Sequence, residues 1–445
     1  MTSVKEYLLN INVARDASVP LEVYIAFPET LRNPAVKEQV RKMWLYGNDK
    51  QVASMDLMFA DKMACICRPN GMLIDWVNIQ LTLYTSSGLA IVIPNVMLST
   101  LGSTTEERIA NLNDYLHISF AKRATEQTSF LQATDVTPLR GKVSVDVAKA
   151  IIESGEYSPY ELLLLGLGYK PTKEVKRLFL PRVLTWFKGF DGKPMHVAQF
   201  TLPESGKTSF AVRTETLFNW RYIPEPPTLA RLILDARSGI LGEVFLRNGI
   251  VFDEFDKWSI ETADRRYTFD SILTGMEQGK WERGVSAMGI RVPDVPRLIP
   301  ILFFGNLGDF QKLHGVVTYN TRAWFNTIYT ARLSHDVRAL CDRLCVIDAC
   351  FKEIRIMDYL TYEVLPDSVL RGIVALLQEQ VKPCDVSKLR GRIKRHANNL
   401  YVIMSTLFKN VTPEMADSMA SGMYEFDKSM DELEEKEEAG VPKRE

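Results

Sequence analysis

TLPESGKTS (Thr201–Ser209) lies between an apolar stretch, HVAQF (His196–Phe200), and a segment of helical spacing, FAVRTETLF (Phe210–Phe218). Together they predict a strand, a loop and a helix that begins near Gly206. The spacing follows the phosphate-loop pattern G-x-x-x-x-G-K-[ST], with Thr201 where that pattern has its first glycine. Amide groups at the start of a helix have no partner within it and sit at the positive end of its dipole, so they attract phosphate oxygens. On this reading Thr201, Pro203, Glu204, Ser205, Gly206, Lys207, Thr208 and Ser209 line the phosphates of ATP. Lys207 reaches the terminal phosphates and the Thr208 hydroxyl holds Mg2+. The competing reading is a surface turn with a solvated lysine, and the tripeptide alone leaves the two level. Thr201 stiffens a turn that glycine would ease, and Glu204 brings a carboxylate to the loop.

A second stretch, GIVFDEFDKW (Gly249–Trp258), is an apolar strand running into Asp253-Glu254. The C-terminal end of a strand is where α/β sheets present ligand groups. Asp253 there would bind Mg2+, directly or through water, and Glu254 would polarise an attacking water. A strand that merely runs into a solvated acidic turn is the alternative. It leaves unexplained the GKT loop upstream, in the right order.

The Gly249–Lys257 run, with Met276-Glu277-Gln278 after an intervening helix, resembles the minichromosome-maintenance branch of the AAA+ ATPases. ELLLLGLGYKPTKEVKRLFLPRVLTW before the loop and LIPILFFGN (Leu298–Asn306) after it are similar to the Lon-like AAA+ protein of BREX phage-exclusion systems. The likeness covers roughly residues 160–350. It implies an α/β P-loop AAA+ module with an α-helical lid, acting as a ring of about six or seven subunits, because chemistry shared across head-to-tail contacts closes into rings. It further implies that Asn306 is the sensor 1 residue orienting the lytic water. Arg343, in Cys341-Asp342-Arg343-Leu344, is implied to be the arginine finger reaching a neighbour's γ-phosphate. A surface arginine paired to a carboxylate is the alternative for Arg343. GKWERGVSAMGIRVPDVP occupies the place of a pore hairpin. Lys280, Arg283 and Arg291 there suit a DNA backbone, and Trp281 suits a base, unless the segment is a structural hairpin with an anchored tryptophan. Lys388 and Arg390, in VSKLRGRIKRHANNLYVI, are candidates for sensor 2, or for a solvated or DNA-facing basic surface.

Around this core, residues 1–135 mix strand and helix signals and predict an α+β N-terminal domain. TTEERIANLNDYLHISFAKRA within it carries helical periodicity. Residues 136–190 predict a helical linker, 191–350 the ATPase core and 351–424 the helical lid. The run 425–445 reads as an acidic, disordered tail of net charge −5, leaving the rest at +4. The composition, 46% hydrophobic and 24% charged, excludes a disordered or collagen-like chain. No apolar run reaches membrane-span length and no secretion signal precedes the first domain. Six cysteines in 445 residues exclude a disulfide scaffold and point to a reduced, cytoplasmic setting. Cys65 and Cys67 read as buried thiols on one face of a strand; no zinc site is expected. Three functions remain open: a DNA-translocating or DNA-remodelling ATPase, an ATP-switched DNA-binding scaffold with little turnover, and a protein-remodelling machine.

Overall fold

The computed structural model describes residues 33–49, 62–75, 80–104, 115–124, 129–139, 145–259, 262–283, 291–307, 320–333, 337–381 and 391–422, with isolated positions at 4, 9–10, 108 and 111–112. The acidic run 425–445, Lys388, Arg390 and residues 284–290 of the expected pore hairpin lie outside them. Among the described residues no helix is long and apolar enough to cross a membrane.

The N-terminal part is built on a six-stranded sheet with one long helix, while Leu9–Asn10 pairs antiparallel with Glu363–Val364. Asn33 caps helix α1 (Pro34–Asn48) by accepting from the Ala35 amide, and Pro34 takes the first turn, where it forfeits no bond. Strands β1 (Lys62–Cys67), β2 (Gly71–Asp75), β3 (Gln80–Tyr84), β4 (Ala90–Ile93), β5 (Leu116–Ala124) and β6 (Ser129–Pro138) assemble in the order β1-β5-β6-β4-β3-β2. Every pairing is antiparallel except β4 with β6. Alternation along β1 sends Cys65 and Cys67 into one apolar cluster and Ile66 into another, under α1. LHISFAKRA corrects the helical expectation for this stretch. Leu116, Ile118 and Phe120 are buried, with half-buried His117 and Ser119 between them, and this period of two makes it a strand.

Three helices lead into the second sheet: α2 (Val145–Ser154), α3 (Pro159–Leu167) and α4 (Lys173–Leu184). A capping box opens α3: Ser158 accepts from the Glu161 amide while the Glu161 carboxylate accepts from the Ser158 amide. Strands β7 (Val197–Thr201), β8 (Trp220–Ile223), β9 (Gly249–Phe252), β10 (Ile301–Asn306) and β11 (Val346–Cys350) form an all-parallel sheet in the order β11-β7-β10-β9-β8. Nearly every residue of these strands is buried, as expected for a parallel sheet covered on both faces. Helices α5 (Lys207–Phe218), α6 (Ala263–Gln278), α7 (Thr321–Leu333) and α8 (Arg338–Arg343) connect them. A helical group, α9 (Asp367–Gln380), α10 (Arg392–Leu407) and α11 (Pro413–Ser421), follows. The architecture is mixed α/β, with one parallel sheet.

The six-stranded and five-stranded sheets share a core. A single apolar cluster runs from Cys65, Leu83 and Ile118 to Phe200, Phe252 and Phe303. Arg68, in the turn after β1, donates to the Glu215 and Thr216 carbonyls at 2.6 and 2.9 Å. These are last-turn carbonyls of α5, and a cation at that end favours the helix dipole.

Candidate functional site

Strands β7, β10 and β9 end side by side, because Thr201 pairs in register with Asn306 and Phe303 with Phe252. The chain leaves β7 into the loop 202–206, where Glu204 (φ 61°) and Gly206 (φ 73°) adopt left-handed backbone. Thr201 Oγ1 and Ser205 Oγ, 2.6 Å apart, close the loop across its base. The Lys207 ammonium lies across the same base, donating to Thr201 Oγ1 at 3.1 Å and Asn306 Oδ1 at 2.8 Å. Thr201 therefore holds the lysine through a hydroxyl that glycine lacks. A Cβ at Gly206 would fall 2.8 Å from Ile356 Cγ2, whose own amide donates to the Glu204 carbonyl at 3.1 Å. The Glu204 carboxylate points outward and pairs with Arg355 at 3.4 Å. Pro203, Thr208 and Ser209 are exposed.

Asp253 is buried beyond the end of β9. It accepts from the Tyr222 hydroxyl at 2.9 Å and from the Glu254 amide at 2.8 Å. Tyr222, on the neighbouring strand β8, stands opposite Val251, which brings its phenol to Asp253. Asp256 adds a bridge by accepting from the Asn306 amide at 2.9 Å, which fixes the residue that receives Lys207. Glu254 stands in left-handed backbone (φ 49°) and accepts from Lys257 at 2.5 Å. Loop 201–208 and the acidic turn 253–256 thus meet at one end of the sheet.

The electrostatics are those of a site short of negative charge at the loop and of positive charge at the turn. Burial, helped by the nearby charge of Arg182, pulls the Lys207 ammonium down to about 8, against the attraction of Asp253 and Asp256. Burial, and then the bond to Asp253, push the Tyr222 phenol up to about 12. Lys207 bonds only neutral oxygens, and Asp253 only neutral donors. An anion beside the first and a cation beside the second fit these residues.

Arg343 is not part of this cluster. It ends α8, just before β11, and β11 runs parallel to β7 with Val346 opposite Val197. Arg343 therefore lies at the opposite, N-terminal end of the strands, roughly 15 Å of strand away from the loop. It donates to Glu277 Oε2 at 2.5 Å, and Arg392 donates to Glu277 Oε1 at 2.6 Å. A cleft at this end is lined by His196, Met276, Glu277, Arg343, Arg392 and His396. Burial lowers the Arg343 pKa, and Glu277 works against it.

Of the residues chosen for DNA, Lys280 and Arg291 are exposed. Trp281 corrects its assignment as a base-stacking residue. It is 4% exposed, its indole donates to the Arg297 carbonyl at 2.8 Å, and a Cβ at Gly275 would meet its ring. Arg283 is turned inward onto the Leu234 carbonyl. Tyr222, Asp256, Arg182 and Glu277 were missed in the sequence. Asp256 and Glu277 lie within the two runs that carry the family likeness, and the end-of-strand position of Tyr222, next to the strand that leads to Asp253, is the signal that could have found it.

No protein-family model matches the chain. Similar proteins come from archaeal viruses. "Uncharacterized protein 440" of Sulfolobus islandicus rod-shaped virus 1 is 29% identical over 59% of this chain and 60% of its own length. "Uncharacterized protein ORF426" of Acidianus filamentous virus 1 is 28% identical over 58% of this chain and 59% of its own. "Uncharacterized protein ORF425" of Acidianus filamentous virus 2 is 30% identical over 451 aligned positions, 95% of this chain and 99% of the relative. With a match running almost the full length of both proteins, the chain belongs to the family of that filamentous-virus protein.

Proposed function

We propose that this chain is a ring-forming AAA+ ATPase that hydrolyses ATP to translocate on or remodel DNA. The observation that carries the proposal is the bridge Lys207–Asn306–Asp256, with the Tyr222-bonded Asp253 beside it, at the C-terminal ends of adjacent parallel strands. The strand order adds support, since the strand before the loop is flanked by the fourth and fifth strands of the sheet, an arrangement typical of such modules. In this reading Lys207 and the loop amides bind the phosphates, and Thr208 and Asp253 hold Mg2+. The metal, when bound, neutralises charge on the phosphate oxygens. Glu254 orients the attacking water once Lys257 releases it, and Asn306 fixes the water's other side. Arg343, at the opposite end of the strands from its own loop, serves the site of a neighbouring subunit, and α9–α11 act as the lid.

Steady-state hydrolysis in the presence and absence of DNA tests this directly. Lys207→Ala and Glu254→Gln are each expected to lower turnover at least about a hundredfold; wild-type rates in either variant would sink the proposal. DNA binding through Lys280 and Arg291 is expected to weaken steeply with added salt. The Glu254–Lys257 ion pair favours a second reading, a nucleotide-switched DNA-binding scaffold with little turnover. Tight ATP binding without multiple turnovers would select it.

A further inference from the structure

We infer that Arg182 is a positioning residue that sets the orientation of one peptide of the phosphate loop, a role that rests on the nucleotide-binding reading above. Arg182 lies on α4, beneath the loop, with no exposed surface. Its guanidinium sits 4.7 Å from the Phe179 ring centre and 5.2 Å from that of Phe304. Nε donates to Gln199 Oε1 at 2.6 Å, Nη1 donates to the Ser205 carbonyl at 3.1 Å, and Nη2 is buried without a hydrogen-bond partner. Gln199 in turn donates to Asp348 Oδ2 at 2.9 Å, and Arg177 donates to Asp348 Oδ1 at 2.8 Å. The Arg177–Asp348 pair is charge-balanced; Arg182 is bonded to neutral groups alone. A cation kept in such surroundings is costly, and apolar residues would pack there at less cost.

The geometry shows what that cost secures. The peptide between Ser205 and Gly206 is trans, so its carbonyl and its N–H point in opposite directions. Arg182 draws the carbonyl down into the protein. The Gly206 N–H must then point up, out of the loop, and among the described residues it finds no acceptor. Glycine at 206 permits either orientation of that peptide, because no Cβ opposes the rotation. Without Arg182 the carbonyl oxygen can turn outward, presenting a negative dipole where the site needs a positive one. Arg182 thus acts on ligand binding through the backbone, without touching the ligand.

The test is calorimetric titration of the full-length chain with Mg·ATP, beside turnover at saturating ATP. Arg182→Met is expected to raise Kd about tenfold, with kcat within about twofold, because the amide acts on bound ATP before the chemistry. Arg182→Lys keeps the charge and one donor, and is expected to recover part of the affinity. Loss of thermal stability with Kd unchanged in a folded Arg182→Met overturns the inference and leaves the ATPase reading intact. Should Arg182→Met not fold, Arg182→Lys replaces it, with a rise in Kd of about threefold expected and an unchanged Kd again overturning the inference. No binding of Mg·ATP by the wild-type chain would defeat the nucleotide reading itself, and this inference with it.

Discussion

His196 and His396 flank the cleft beside Arg343, and the tautomer of each is set by its hydrogen bonds. His196 Nδ1 accepts from the Ile301 amide at 3.2 Å, so its Nε2 donates to the Met276 carbonyl at 3.1 Å. His396 Nε2 donates to the Asp342 carbonyl at 2.9 Å, leaving Nδ1 to accept from the Cys345 thiol at 3.2 Å. Burial is the main cause that lowers both imidazoles to about 4. Their folded pKa lies below the unfolded value, so the unfolded chain binds protons first as pH falls. Stability is full above about 6.5 and is lost toward about 4, at up to about 1.4 kcal/mol per pH unit for each histidine. Urea denaturation between pH 4.5 and 7 checks this; a flat profile would contradict it, and His396→Gln should remove about half of the slope. Nothing in the sequence around either histidine announces this. The partners of His396 lie 51 and 54 residues away. Gly206-Lys207-Thr208 was legible because its chemistry is local; the lysine's acceptor at Asn306, 99 residues on, was not legible from spacing alone.

At the scale of elements, the strand–loop–helix unit around residues 197–218 was readable from its pattern, with bounds one residue from expectation. The stretch 116–124 was not. Helical spacing in the preceding residues carried over, and only pairing with β1 and β6 settles which period the chain obeys. The loop's fit to its surroundings depends on a segment far along the chain, Ile356, and that contact yields a prediction. Gly206→Ala adds both a left-handed backbone penalty and a clash, for a cost of about 1–3 kcal/mol and a loss of ATP binding. Adding Ile356→Ala removes the clash but leaves the backbone penalty. The double variant should regain part of the stability in thermal unfolding but little of the affinity. Full recovery of both would mean that space alone, and not backbone conformation, requires glycine here.

For the whole molecule, the separation of Arg343 from its own 201–208 loop, with the ATPase function proposed above, defines a complementation experiment. Lys207→Ala and Arg343→Ala are each expected to be inactive alone. Mixed in equal amounts, they should recover part of the wild-type hydrolysis, because some interfaces then join an intact loop to an intact arginine. No recovery in mixed assemblies would place the arginine's role within its own subunit, in its pairing with Glu277. The sequence placed Arg343 by likeness to a family; which end of the strands it lies at follows from the register of β11 with β7. The cluster linking both sheets has a further consequence. Leu241 bridges to Met72 of the six-stranded sheet, and Arg68 grips the tail of the very helix whose head carries Lys207. The helix that begins at Lys207 is therefore clamped at its rear by the amino-terminal half, so a shift of that half is passed to the loop at its front.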